Sequence, residues 1–173
     1  MNYYLTKADI SHISFFGIYI AINKMKKEGR RKDMSESINP IVLLTHNGWG
    51  KNLLESIKMI VGEVNDVYEV ALYPQDSLED FLLRVKQLIE SLQWNNKLLV
   101  LTDLKGGTTS NVALRLSKDY ELVTICGLCA PLLLEAVSRQ HNGGFTLKDA
   151  EEIHQISLDS CSILDVVVSK GDK

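Results

Sequence analysis

The sequence holds little of what marks a secreted, fibrous or membrane-spanning chain. Cysteine is scarce, 3 in 173 residues; an odd and small number makes no disulfide framework and points to a reducing cytoplasm. With only 3 prolines and 11 glycines, collagen-like and low-complexity architectures are excluded. No apolar run approaches the ~18–20 residues that cross a bilayer. Charge of one sign is also lacking: 19 basic against 22 acidic side chains leave a net charge of -3. Beyond the short run from Lys24 to Lys32, no Lys/Arg block offers a nucleic-acid footprint. What is present is 45% hydrophobic content, enough to exclude disorder. At the usual ~100–200 residues per domain this builds one domain with a proper core. A soluble, cytoplasmic, single-domain protein is expected.

The opening segment differs from the rest. Its most apolar part, Ile13 to Ile22, precedes the charges Lys24 to Lys32, whereas a secretory signal places positive charge first. If Arg30-Arg31 is encoded AGG-AGG, the message there reads as a bacterial ribosome-binding site spaced before Met34. The expectation is that translation begins at Met34 and that residues 1–33 are leader without a fold, leaving 34–173 as the functional domain.

From Pro40 onward, strand and helix patterns alternate. Ile41-Val42-Leu43-Leu44 is a short continuous apolar run, as in a strand buried on both faces. A helix follows with Leu53, Ile57, Ile60 and Val61 on one face, closed by Gly62. Val67 to Tyr73 reads as a second strand, ended by Pro74. Ser77 and Asp80 open a helix striped by Leu78, Phe81, Leu82, Val85, Leu88, Ile89 and Leu92. Lys97 to Thr102 is a third strand, followed by a Gly-Gly turn and a helix around Ser110 to Leu116. Glu121 to Cys126 is a fourth, with a helix after Pro131. A last helix starts near Thr146, with Asp149 as its capping partner, and Ile163 to Val168 reads as a closing strand. Alternation of this kind implies right-handed crossovers and an α/β, doubly wound, mostly parallel sheet covered on both faces. For four strands the common order is 2-1-3-4, with the C-terminal strand added.

Ligands of such sheets sit beyond the carboxyl ends of the strands, where the strand order reverses. Here that is between the first and third strands. After the first comes Thr45-His46-Asn47-Gly48-Trp49-Gly50, and after the third Thr102-Asp103-Leu104-Lys105-Gly106-Gly107-Thr108-Thr109. One histidine and one carboxylate therefore converge on one crevice. An unperturbed imidazole, with a pKa of ~6.5, is largely neutral near pH 7 and keeps a nucleophilic lone pair. A carboxylate on its other nitrogen fixes the tautomer and stabilises positive charge on the ring. Helix N-termini after Gly48 and Gly107 would aim backbone N–H groups into the same space, which suits a phosphoryl group.

At these residues the sequence resembles the enzyme IIA domain of the mannose/fructose/sorbose family of the bacterial sugar phosphotransferase system, from about Ile41 to Val137 and more weakly beyond. The family's T-H-G segment and paired leucines are matched by Thr45-His46 and Leu53-Leu54, with Ser56, Met59, Gly62 and Glu63 further on. Its D-x-x-G-G-[ST]-P-x-N is matched by Asp103 to Asn111, and its G-x-N-x-P-[ML]-L-x-E by Gly127 to Glu135. The resemblance implies a phosphotransferase in which His46 is phosphorylated by the phosphocarrier HPr and passes the group to a histidine of a IIB partner. Asp103 would orient the His46 ring. Thr108, with Thr109 and the backbone of Gly107 and Gly48, would receive the phosphoryl oxygens. No metal or organic cofactor is implied, and the membrane IIC/IID transporter would be reached only indirectly. A homodimer is implied, with Ile163 to Val168 at the interface. Three positions depart from the pattern: Asn47 replaces the glycine after the histidine, Thr109 replaces proline and adds a hydroxyl, and Cys129 replaces asparagine.

Other readings compete. The phosphoryl-carrying subunit of a dihydroxyacetone kinase would use the same chemistry, and a non-catalytic regulatory module would use the phosphorylation state alone. Cys126-Gly127-Leu128-Cys129 is a C-x-x-C, but a zinc site needs a second pair and a thioredoxin-type site an earlier strand. Gly106-Gly107 lacks the G-K-[ST] of a P-loop. A receiver domain phosphorylated on Asp103 would want an acidic pair where His46 stands. Trp49 shields the site or packs on the core. His12 falls in the leader, while His141 and His154 read as loop and helix-surface residues. Lys51 and Lys105 are solvated or meet a partner.

Overall fold

A computed structural model describes residues 38–141 and 143–161. The leader expected at residues 1–33 and the closing strand expected at Ile163 to Val168 lie outside the described residues.

Four strands, β1 (Ile41–His46), β2 (Val67–Leu72), β3 (Leu98–Thr102) and β4 (Leu122–Cys126), form one sheet in the order β2-β1-β3-β4. Every pairing is parallel. The helices are α1 (Gly50–Val61), α2 (Leu78–Ser91), α3 (Thr108–Leu116), α4 (Ala130–Ser138) and α5 (Leu147–Asp159). The order reverses between β1 and β3, so both carboxyl ends open on one crevice.

Why β1 is central follows from its composition. Ile41, Val42, Leu43 and Leu44 are all 0% exposed, and side chains alternate between faces along a strand. Ile41 and Leu43 meet Leu54, Ile57, Leu132, Leu133 and Ile153 from α1, α4 and α5. Val42 and Leu44 meet Phe81, Val85, Ile89, Val112 and Leu116 from α2 and α3. Each such aliphatic side chain removed from water contributes about 1.5–3 kcal/mol, which ties both helical layers to the strand that carries His46.

Local signals explain most boundaries. Ser77 caps α2 by accepting from the Asp80 backbone N–H. Thr146 and Asp149 form a complete capping box on α5. Some ends differ from the sequence expectation. The second strand stops at Leu72, because the Tyr73 N–H turns to the Asp76 carboxylate. Lys97 stays out of β3, its N–H donating to the Phe145 carbonyl at 3.0 Å. The buried face of α1 carries Gly50, Leu54 and Ile57, while Ile60 and Val61 are exposed; a stripe through Leu54 faces β1, one through Ile60 does not. In α2, Leu78 is likewise exposed, and Phe81, Val85 and Ile89 form the buried stripe.

Candidate active site

His46 is the last residue of β1, and Asp103 follows β3 directly. The Asp103 N–H donates to the Leu44 carbonyl at 3.3 Å, extending the ladder one step and fixing the aspartate against β1. One oxygen, Asp103 Oδ2, then accepts twice from the same residue. The His46 backbone N–H lies 2.7 Å away and His46 Nδ1 lies 2.9 Å away. The other oxygen, Oδ1, accepts from the Leu104 N–H at 2.8 Å and the Thr109 hydroxyl at 2.8 Å.

Burial pushes the Asp103 carboxyl up, since its side chain is only 6% exposed. Donation from the His46 backbone, the His46 ring, Thr109 and the Leu104 backbone outweighs that and holds it below the ordinary carboxylate value. Asp103 is therefore ionised at neutral pH and only accepts. A neutral His46 ring consequently carries its proton on Nδ1, leaving the Nε2 lone pair free. Among the described residues nothing bonds Nε2, and the side chain is 43% exposed.

The turn beyond His46 explains one departure from the sequence pattern. Asn47 and Gly48 have φ of 58° and 72°, the left-handed pair favoured by an Asn-Gly sequence. Asparagine tolerates this region far better than most side chains, so the glycine displaced by Asn47 is not needed there. The turn delays α1 to Gly50.

At that point the structure corrects an expectation. The N–H groups of Gly50 and Lys51 do not face an anion site; they donate to Glu69 Oε1 at 2.8 Å and Oε2 at 3.0 Å. Thr45 Oγ1 also donates to Glu69 Oε1. Glu69, paired in register with Leu43, thus caps α1 from the neighbouring strand, in place of Trp49, which makes no side-chain cap bond. A Cβ at residue 50 would come within 2.6 Å of Glu69 Oε1, so a side chain there would push the carboxylate off the helix start. The sequence signal for Glu69 was a lone carboxylate inside an otherwise apolar strand.

The N-terminus of α3 is arranged differently. Among the described residues, the N–H groups of Thr108, Thr109 and Ser110 have no acceptor, as in any first turn left uncapped; the Gly107 N-cap contributes no side chain. An ideal Cβ at Gly107 would lie 3.5 Å from His46 Cε1, so the ring stands against this terminus. The Thr108 side chain also has no hydrogen-bond partner among the described residues. Thr109, expected to receive phosphoryl oxygens, is 0% exposed with its hydroxyl committed to Asp103. It acts on the carboxylate instead. The Ser110 hydroxyl donates to the Gly107 carbonyl at 3.0 Å.

In the loops that follow β1 and β3, Trp49 is 38% and Leu104 63% exposed. Cys126, Cys129 and Cys161 are free thiols. Burial, chiefly, pushes the Cys129 thiol up, whereas a thioredoxin-type nucleophile needs it down. Among the described residues no group of three or more His, Cys, Asp or Glu could hold a metal ion, and no helix is long and apolar enough to cross a membrane.

Comparison with known proteins gives this geometry its context. Residues 40–151 match the EIIA-man family, described as PTS system fructose IIA component. The chain is 28% identical over 111 residues to the PTS system fructose-specific EIIA component of Bacillus subtilis, covering 63% of this chain and 74% of that one. It is 29% identical over 98 residues to the PTS system mannose-specific EIIAB component of Escherichia coli, covering 56% of this chain but 30% of that one. Among solved structures, the mannose/sorbose specific IIA subunit from Enterococcus faecalis superposes with a TM-score of 0.68 at 27% identity, covering 75% of this chain and 97% of that one. The PTS IIA protein associated with the fucose utilization operon of Streptococcus pneumoniae gives a TM-score of 0.61 at 30% identity, covering 75% and 95%. On the extent of the family match, which runs from the first strand into the last described helix, the chain belongs to the EIIA-man family of phosphotransferase-system IIA components.

Proposed function

We propose that residues 34–173 form a phosphoryl carrier in which His46 accepts a phosphoryl group from phosphorylated HPr and delivers it to a histidine of a IIB partner. In the first step His46 Nε2 attacks phosphorus. The new N–P bond forms as the donor's N–P bond breaks, and the donor ring leaves with that electron pair. The Nδ1 proton stays in place, so the phosphorylated ring is cationic, opposite the ionised Asp103. Attack by the IIB histidine reverses these changes and returns a neutral ring with its proton on Nδ1. The phosphoryl oxygens are received by the uncapped N–H groups of α3 from Thr108 to Ser110 and by the Thr108 hydroxyl, where the helix end favours negative charge. Gly107 leaves room beside the ring, and Gly48 turns the chain away from it. Trp49, Leu104, Lys51 and Lys105 meet the protein partners, and the sugar is selected by the membrane components downstream. The carrier works as a homodimer in the cytoplasm.

The observation carrying this reading is the 2.9 Å contact of Asp103 Oδ2 with His46 Nδ1, which leaves Nε2 unbonded beside the α3 N-terminus. Incubation with phosphoenolpyruvate, enzyme I and HPr tests it. The wild type should acquire acid-labile, alkali-stable phosphate and His46→Ala none; equal labelling of the two would overturn the reading.

A further inference from the structure

We propose that Thr109 is a positioning residue for the transfer: its buried hydroxyl locks the Asp103 carboxylate in the rotation that holds the His46 ring as a single tautomer. The inference rests on the reading of His46 as the phosphoryl acceptor, but its first test needs no phosphoryl donor.

Three consecutive hydroxyls stand at the start of α3, and each is placed differently. Thr108 is half-buried and has no partner among the described residues. Ser110 closes the helix start by donating to the Gly107 carbonyl at 3.0 Å. Only Thr109, 0% exposed, points its hydroxyl at Asp103 Oδ1, at 2.8 Å. A carboxylate donates nothing, so the hydroxyl proton lies on the threonine side of this bond.

The four bonds to Asp103 divide cleanly. Oδ2 is held by His46 alone, through its backbone at 2.7 Å and its ring at 2.9 Å. Oδ1 is held by the adjacent Leu104 N–H at 2.8 Å and by Thr109. The Leu104 contact is between neighbouring residues and moves with the loop. On Oδ1, Thr109 is the one anchor from a regular element, and it joins the carboxylate to the helix whose N-terminus faces the ring. Without it, Oδ1 keeps only the Leu104 N–H, and Asp103 turns more widely about its terminal torsion, which is intrinsically soft. Oδ2 then stays opposite Nδ1 a smaller share of the time, and the tautomer equilibrium shifts toward Nε2-H. Every ring protonated on Nε2 has lost its nucleophilic lone pair.

The resembling motif carries proline where Thr109 stands, and proline has no hydroxyl to offer. In this chain the departure therefore supplies a bond to the aspartate that the motif itself cannot make.

The test compares wild type, Thr109→Val and Thr109→Ser by 15N NMR of the His46 ring in the unphosphorylated protein, at a pH where the ring is neutral. Wild type should show the Nδ1-protonated tautomer almost alone. Thr109→Val, of nearly equal volume, should shift the tautomer ratio toward Nε2-H by about five- to tenfold, the scale of one lost hydrogen bond. Thr109→Ser should restore the wild-type ratio. In the transfer assay, Thr109→Val should lower kcat by much less than the tautomer ratio shifts, because the Nδ1-protonated ring stays in the majority. It should leave KM for phosphorylated HPr unchanged, because the buried side chain touches no partner. An unchanged ring spectrum in Thr109→Val, or failure of Thr109→Ser to restore it, would overturn the proposal. Should the valine variant not fold, the wild type decides: a Thr109 hydroxyl proton slow to exchange with water supports the bond, and one lost to fast exchange refutes it. If the wild type takes no phosphoryl group, the carrier function fails while the tautomer comparison still stands on its own.

Discussion

Replacing Asp103 by asparagine removes one charge at nearly constant volume, and its consequences can be worked from the bonds. Four donors converge on the carboxylate: two from His46, one from Leu104 and one from Thr109. An amide has one accepting end. If that end faces His46, the NH2 group meets the Leu104 N–H, which cannot accept. If the NH2 group faces His46, the ring must present a bare Nδ1, the proton moves to Nε2, and the nucleophile is lost. In both arrangements the cationic phosphorylated ring no longer faces an anion. A hydrogen bond to a charged group contributes about 1.5–3 kcal/mol, and Asp103 is well shielded from water, so little of this is screened. If that loss is felt fully in the transition state, transfer slows by roughly 10- to 150-fold. Rapid-quench measurement of transfer from labelled HPr to Asp103→Asn reads this directly. A folded variant that transfers within about threefold of wild type, a barrier change under 1 kcal/mol, would refute the reasoning.

Three further outcomes follow from the same contacts. Because Asp103 is held below its ordinary carboxylate value, its contribution to stability is complete above the unfolded pKa of ~3.9 and is lost as pH falls through the lower folded value. In denaturant titrations the advantage of wild type over Asp103→Asn should therefore persist at mildly acid pH and shrink only below about pH 4; an advantage already gone at higher pH would contradict the shift. Glu69→Ala leaves the first amides of α1 without their acceptor and should cost about 1–3 kcal/mol, with hydrogen exchange accelerated selectively at Gly50 and Lys51. Arg139→Met strands Glu135, 4% exposed, whose partner guanidinium lies 2.8 Å away and also reaches Glu152 of α5 at 2.8 Å; a loss of about 3 kcal/mol is expected in equilibrium unfolding.

The parts of this architecture that could be read in the sequence are those set by runs and periods. Ile41 to Leu44 reads as a strand covered on both faces, and alternation with helices pointed to the parallel class and the place of the crevice. That is enough to bring His46 and Asp103 to one crevice from the pattern alone. What stayed hidden depended on register and on side-chain rotation. Glu69 reaches α1 because its strand pairs Glu69 with Leu43 and places it on the face of Thr45, a relation between two segments that neither pattern contains. Thr108 and Thr109 look alike in sequence, yet the helical turn leaves one half-buried without a partner among the described residues and buries the other against Asp103. The exposed Ile60 and Val61 show the opposite failure, since apolar residues in the right period still face outward where the next layer does not extend over them.

The most direct measurement of the central claim is the identity of the phosphorylated atom. Protein labelled with 15N in histidine, charged through phosphoenolpyruvate, enzyme I and HPr, should show phosphorus coupled to Nε2 of His46 while Nδ1 keeps its proton. Phosphate on Nδ1 of His46, on any other residue, or nowhere in the chain would contradict the account.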